Sequence, residues 1–257
     1  MSAFYEPLGD GRFRSTPHTR GPWDPAFQHA GPPAALLGRA VERCEPRDGF
    51  VLARTTFEIL RPVPVADVEV SARVARPGRS VELLEGELSA GPEPVMTVRA
   101  WRVRASPAPD VDRDGAPPPR PSEASPPPPG LDEFGYGRAV ELRFAAGGWG
   151  QRRPATVWTR LLVAVVADEE PTGVQRVLAV ADSGNGVSAV LSWDDWLFIN
   201  PELTVHFRRP PRGEWICLDA ETSIAAGGAG LARSVLSDDD GVVAQGAQSL
   251  LITPRGA

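Results

Sequence analysis

Apolar positions along the chain form two similar series, each a stretch of helical period followed by stretches that alternate with a period of two. In the first series, residues 31–44 carry an Ala/Leu-rich helical pattern that begins with two prolines. Proline suits the first helical turn, where its missing N–H would have no partner. The predicted helix is apolar over most of its surface, so we expect it to be buried.

A meander of strands is predicted after this helix, at 50–60, 65–74, 80–88 and 95–104, and a short hairpin before it at 4–14. The second half repeats the plan. Strands are predicted at 139–144 and 156–163, a helical pattern at 172–190, and strands at 198–208, 215–224, 231–236 and 242–252.

One strand ending occurs in both series, as FEILRPVP at 57–64 and TVHFRRPP at 204–211, so that Pro62 and Pro210 lie 148 positions apart. A single sheet of this kind exposes an edge strand and an apolar helix end, and a second copy covers both. We therefore predict an α+β protein made of two packed copies of one unit.

Residues 105–130 are rich in Pro, Ala, Ser and Asp, which favours an extended chain without a core of its own. We predict an N-terminal domain at 1–104, a Pro-rich linker at 105–130 and a C-terminal domain at 131–257. A Pro-rich ligand for a recognition module is the alternative for the linker.

The net charge of −6 argues against a nucleic-acid partner. Cys44 and Cys217 are too few for a disulfide framework and have no metal-ligand spacing, so we expect a reduced, cytoplasmic setting and no metal. No apolar run approaches the length of a membrane span, and no membrane association is expected.

Three motifs together carry a resemblance to a known family: HAGPPAALL at 29–37, ADSGNG at 181–186 and NPELTVHFRRPPRGEW at 200–215. In this order and spacing they resemble the acyl-CoA thioesterase II family of double-hotdog enzymes, particularly the actinobacterial type. The resemblance implies a tandem (double) hotdog, with two long antiparallel sheets each wrapping a central helix and packed as a pseudo-dimer. It also implies hydrolysis of acyl-CoA without a cofactor and a homo-oligomer, a dimer of such protomers.

The family places an acid eight positions before the proline of the Arg-Pro corner, a hydroxyl on the next strand and a glutamine on the last strand. In the family these three residues together hold the hydrolytic water. These roles carry over to Glu202, Ser223 (with Thr222 adjacent) and Gln248. The family's acid is usually Asp, so Glu202 is a departure. The resemblance also implies that a backbone N–H near Gly31 stabilises the oxyanion.

The first copy provides an internal comparison. Arg54 stands eight positions before Pro62, and Ala100-Trp101 occupies the region of Gln248. The first copy thus lacks the polar trio, and we expect only one of the two related sites to be equipped for hydrolysis.

Each candidate in the trio also has a structural interpretation. Glu202 is also consistent with a solvated carboxylate paired with an arginine. Gln248 is also consistent with an outward-pointing side chain, and Ser223 is also consistent with a hydroxyl on the sheet surface.

Five further positions stay open in the same way. His29 either contacts a substrate carbonyl or makes a loop hydrogen bond. Asp182 and Asn185 either contribute to the site or end a helix. Arg208 and Arg209 either receive phosphates of coenzyme A or are solvated.

Two other functions also remain open. The Glu202 departure motivates a non-catalytic module that binds acyl-CoA or an acyl carrier. An enoyl-CoA hydratase or dehydratase fits poorly, because Asn200-Pro201 lacks the Asp and His context that such enzymes present.

Overall fold

The computed structural model describes residues 2–109, 111, 115–123 and 130–256, and there a continuous, largely antiparallel sheet wraps two central helices. The strands of the first half are β1 (Ala3–Gly9), β2 (Arg12–Ser15), β3 (Phe50–Ile59), β4 (Asp67–Arg76), β5 (Val81–Ser89) and β6 (Pro94–Arg104). Those of the second half are β7 (Val140–Ala146), β8 (Ala155–Leu161), β9 (Ala164–Val166), β10 (Trp196–Ile199), β11 (Glu202–Phe207), β12 (Trp215–Ile224), β13 (Ala229–Asp238) and β14 (Gly241–Pro254). The α-helices are α1 (Gly31–Arg43), α2 (Gly135–Arg138), α3 (Gly173–Ala181) and α4 (Gly184–Val187).

The sheet curls so that its two ends approach each other. Its strands follow the order β7-β8-β12-β13-β14-β11-β3-β6-β5-β4-β2-β1-β9, with β10 added on β14. Strands β8 and β9 are close neighbours in the chain, yet β8 pairs near one end of this order and β9 pairs with β1 at the other. The sheet therefore encloses the helices almost completely, which leaves few exposed strand edges.

The two halves meet at β3 and β11, which pair antiparallel around Thr56 and Thr204. These two residues are 204 − 56 = 148 positions apart, the same offset as Pro62 and Pro210. Equivalent residues therefore lie opposite each other on a pseudo-two-fold axis, where the Thr204 hydroxyl donates to Oγ1 of Thr56 at 3.2 Å.

Helices α1 and α3 pack antiparallel in the middle of the molecule, so that each begins where the other ends. At one end, a Cβ on Gly31 would lie 2.3 Å from the carbonyl oxygen of Ala179, so only glycine permits this approach. At the other end, the Thr172 hydroxyl donates to the Glu42 carboxylate at 2.9–3.0 Å. Leu36, Leu37 and Leu178 are fully buried in the shared core.

The helical pattern predicted at 172–190 is divided in the structure. Helix α3 ends at Ala181, the N–H of Ser183 bonds back to the carbonyl of Val180, and the short helix α4 follows at Gly184–Val187. The break turns the Asp182 side chain towards the start of α1. The strand predicted at 198–208 is divided into β10 and β11, and the short strand β9, which pairs with the distant strand β1, was not predicted.

The described part of the linker lies on the outer surface of the second half. The indole N–H of Trp158 donates to the carbonyl of Pro118 at 3.0 Å, and Arg120 pairs with Asp239 at 2.9 Å. The proline run 126–129 lies outside the described residues. The division at 104 and 131 stays a prediction.

Candidate active site

An apolar cavity of about 450 Å³ opens beside the start of α1 and the end of α3. Aromatic side chains form much of its wall: Trp23, Phe27, Phe134, Tyr136, Trp149 and Trp193. A few polar residues also line it, among them His29, Asp182, Asn185 and Asn200. A large apolar space with a few convergent polar groups is the usual form of a small-molecule site.

Asp182 is the centre of the polar group. It follows the last residue of α3, and only 4% of its surface is exposed. Its Oδ1 accepts a hydrogen bond from Nδ2 of Asn200 at 2.9 Å and another from Nε2 of Gln248 at 3.2 Å. A buried carboxylate needs such donors to offset its lost hydration.

Gln248 reaches Asp182 because it lies on the inner face of β14. Along this strand Gly246, Gln248 and Leu250 are buried, whereas Ser249 is exposed. The Gln248 side chain is saturated with partners: Nε2 also donates to the carbonyl of Asp182 at 3.2 Å, and Oε1 accepts the N–H of Asn185 at 3.1 Å.

A small residue at position 184 makes room for this glutamine. A Cβ on Gly184 would lie 2.9 Å from Oε1 of Gln248, which is too close unless the side chain shifts. Gly184 at the start of α4 therefore allows this helix to pack closely against Gln248.

His29 completes the polar cluster from the opposite helix. Its Nδ1 lies 3.2 Å from Oδ2 of Asp182 and 3.1 Å from the backbone nitrogen of Gly31. The imidazole stacks on the ring of Tyr136, with centroids 3.9 Å apart and planes within 3°. Burial lowers the pKa of His29 below its ordinary value, and the Asp182 carboxylate raises it only in part.

The two neighbours of His29 Nδ1 compete for it. The Nδ1 atom either accepts a hydrogen bond from the N–H of Gly31 or, when protonated, donates one to the Asp182 carboxylate, because it has one lone-pair or N–H position in the ring plane. When Nδ1 carries the proton and bonds Asp182, the N–H of Gly31 loses its acceptor and becomes available to another oxygen.

The structure does not bring Glu202 and Ser223 into this cluster. Both lie on the outer face of the sheet, since the neighbouring Leu203 and Thr222 take the buried positions. The Glu202 carboxylate accepts the backbone N–H of Ser249 at 2.6 Å. On the inner face, the hydroxyls of Thr222 and Ser188 lie 2.7 Å apart.

Four of the residues singled out from the sequence do converge here: Gln248, His29, Asp182 and Gly31. Asn185 joins them through its N–H, and its side chain donates to the carbonyl of Phe198 at 3.1 Å. Sequence reasoning missed Asn200 as a site residue. The available signal was its position two residues before Glu202, in the Asn-Pro sequence that precedes β11.

Strand register supports the comparison between the two copies. On β3, Thr55 pairs with Ala100, and the offset of 148 carries Ala100 onto Gln248. Ala100 is fully buried but has no polar side chain. The first copy thus has no equivalent of the Gln248 bonds to Asp182.

Two family models match the chain and together cover most of it. The acyl-CoA thioesterase N-terminal domain matches residues 19–103, and the acyl-CoA thioesterase C-terminal domain matches residues 112–252. The chain belongs to the acyl-CoA thioesterase family. No curated protein matches it.

Solved structures confirm the double hotdog fold for this thioesterase family member. A conserved protein of unknown function with hot dog fold from Alicyclobacillus acidocaldarius is 17% identical, with a TM-score of 0.69 over 94% of this chain and 92% of its own. A putative thioesterase from Novosphingobium aromaticivorans is 20% identical, with a TM-score of 0.72 over 96% and 98%. The acyl-CoA thioesterase II TesB2 of Mycobacterium marinum is 17% identical, with a TM-score of 0.67 over 98% and 96%.

Two kinds of structural feature are absent from the described residues. In the described part of the chain, no helix has the length and apolar character to cross a membrane. Within the same residues, no cluster of three His, Cys, Asp or Glu side chains is arranged to hold a metal ion.

Proposed function

We propose that the protein hydrolyses acyl-CoA thioesters to a free acid and CoA, with Asp182 as the general base that activates the attacking water. The observation that carries this proposal is the buried Asp182 carboxylate, held by Asn200 and Gln248 on the wall of the apolar cavity. Family membership supports thioester hydrolysis in general, and the geometry favours Asp182 over Glu202 as the base.

The two amide donors fix the direction of the carboxylate. Both bond to Oδ1, so the carboxyl group cannot rotate without losing them, and Oδ2 keeps a defined position beside His29. A base held in one orientation lowers the entropic cost of reaching the transition state. Water bound at Asp182 attacks the thioester carbon and gives its proton to the carboxylate.

The oxyanion then forms next to the start of α1. With the His29 Nδ1 proton directed to Asp182, the N–H of Gly31 is free to donate to the carbonyl oxygen as negative charge develops there. Collapse of this intermediate breaks the carbon–sulfur bond, and the departing thiolate takes the proton from Asp182. His29 acts as a positioning residue in this scheme.

The acyl group occupies the apolar cavity. Its aromatic wall lowers the local dielectric constant around the reacting centre, which strengthens interactions with the developing charge. Within the part of the chain that the structure describes, the inner face of the second copy alone combines a helix-end carboxylate with an amide on the last strand, so one catalytic site per chain is proposed.

Paired substitutions test the identity of the base. Asp182→Asn keeps the shape of the side chain but removes the base, and we expect kcat/KM for free-thiol release to fall by about 100-fold or more. Glu202→Gln should retain most of the activity, because its carboxylate lies on the other face of the sheet.

Activity and substrate binding together separate the possible outcomes. Full activity in Asp182→Asn, or equal losses in both variants, would remove Asp182 as the base. Acyl-CoA binding by the wild-type protein without any thiol release would instead favour the non-catalytic binding module.

A further inference from the structure

A second cavity, of about 770 Å³, adjoins the apolar one. The residues Pro22, Phe134, Trp149 and Trp193 line both spaces and therefore form the wall between them. Trp193 is held firmly in this wall, because its ring stacks on Trp149 with centroids 5.6 Å apart. The wall separates the apolar cavity from one that is lined by several charged side chains.

Three arginines from separate segments converge on this second cavity: Arg20, Arg138 and Arg255. Arg138 donates to the carbonyl of Asp132 at 2.6 Å, and Nε of Arg255 donates to the carbonyl of Trp193 at 2.7 Å. These bonds fix the two side chains and use one donor nitrogen each. The Arg20 side chain makes no hydrogen bond or ion pair within the described part of the chain.

The three arginines outnumber the two acidic residues of the lining, so the net formal charge of the cavity is 3 − 2 = +1. Glu133 and Asp194 also line it, but among the described residues neither forms a salt bridge with any of the three arginines. Each guanidinium thus keeps donors for an external anion, and the planar donor pair of arginine matches a phosphate group.

The Arg-Pro corner, where the sequence suggested phosphate binding, is less suited to a phosphate, because both of its arginines already have partners within the protein. The Arg209 guanidinium is engaged on both terminal nitrogens by the buried carboxylate of Asp238, and it also donates to the carbonyl of Gly241 at 3.0 Å. Arg208 donates to the carbonyl of Val111 at 3.1 Å.

We propose that the cavity of Arg20, Arg138 and Arg255 binds the phosphorylated nucleotide end of the thioester substrate, with the acyl group on the other side of the tryptophan wall. This proposal rests on the proposed function for the position of the thioester. The ligand class is a nucleoside 3′,5′-bisphosphate joined to the thiol arm. A volume of about 770 Å³ and three separate cations suit several phosphates better than the single phosphodiester of a carrier-protein arm.

Direct binding tests the cavity without requiring hydrolysis. Adenosine 3′,5′-bisphosphate, titrated calorimetrically into the wild-type protein, should bind, and its affinity should fall as salt rises. Arg20→Gln, Arg138→Gln and Arg255→Gln should each weaken it by about 5- to 20-fold, since a charged hydrogen bond is stronger than a neutral one but solvent screens it at these exposed positions. Arg20→Gln is the cleanest variant because that side chain has no hydrogen bond or ion pair to lose within the described residues.

Arg79→Gln provides the matched control, since Arg79 is exposed and lines neither cavity. It should leave bisphosphate affinity at the wild-type value. A wild-type protein that does not bind the bisphosphate, or four variants with one common affinity, would overturn the proposal.

Kinetics separate this proposal from the proposed function. In the three cavity variants, the preference for an acyl-CoA over the same acyl-pantetheine thioester should fall by about tenfold, because only CoA carries the nucleotide. An unchanged preference, or a better response to an acylated carrier protein than to CoA, would count against the nucleotide assignment. Absence of hydrolysis with retained bisphosphate binding would remove the proposed activity and leave the cavity as an anion site.

Discussion

Replacing Gln248 by leucine tests the polar cluster most directly. The glutamine is 2% exposed and makes three hydrogen bonds, two to Asp182 and one from the N–H of Asn185. Leucine has a similar size, so the substitution removes the hydrogen bonds while keeping most of the packing. It leaves the Asn185 N–H without an acceptor and Oδ1 of Asp182 with Asn200 alone.

The expected loss of stability follows from these unsatisfied groups. A buried donor or acceptor without a partner costs about 1–3 kcal/mol, and the additional apolar contact of leucine offsets part of this. We expect a decrease of about 2–3 kcal/mol in the free energy of unfolding. For a chain of this size that corresponds to a melting temperature lower by roughly 4–12 °C.

The expected loss of activity is of similar size in free energy. Asp182 loses one of the two donors that fix its carboxylate, and we expect kcat/KM for acyl-CoA hydrolysis to fall about 100-fold, equivalent to about 2.7 kcal/mol of transition-state stabilisation. Urea denaturation and free-thiol release, both measured on the same preparation, give the two values.

Gln245→Leu is the matched control, because Gln245 lies on the exposed face of the same strand. It should change neither the melting temperature nor kcat/KM appreciably. Wild-type activity in a folded Gln248→Leu protein, or equal effects of the two substitutions, would refute the role assigned to Gln248.

Three further predictions concern groups near the helices and in the sheet. Burial lowers the pKa of His29, so the unfolded chain binds the proton more readily than the folded one. The free energy of unfolding should therefore decrease as pH falls through about 6.5 towards the lower folded pKa. His29→Gln should flatten that part of a curve of stability against pH. Gly31→Ala should lower the melting temperature by several degrees, because the added Cβ meets the carbonyl oxygen of Ala179 at 2.3 Å; no change in melting temperature would contradict the close helix packing. Burial raises the pKa of the Cys217 thiol to about 12, so mass spectrometry after alkylation at pH 8 should find Cys44 modified well before Cys217, and the reverse order would be inconsistent with this burial.

Much of the fold could be predicted because it depends on local pattern and on repetition. The helical period of 31–44 marked α1, and the offset between Pro62 and Pro210 identified the repeat that the structure places around Thr56 and Thr204. The candidate site was only partly predictable. Gln248, His29 and Asp182 were singled out as site candidates, while the family resemblance, applied through the spacing from the Arg-Pro corner, selected Glu202, which faces the opposite side of the sheet.

The sequence by itself determined the two-copy plan, the buried helix and the polar residues available in the second copy, because periodicity and duplication are properties of neighbouring residues. The tertiary structure decided which of those residues meet. A shift of one residue along a strand moves a side chain to the other face, so the choice between Glu202 and its neighbours depends on register. The meeting of His29 with Asp182 depends on antiparallel packing of two helices far apart in the chain, which only the folded protein specifies.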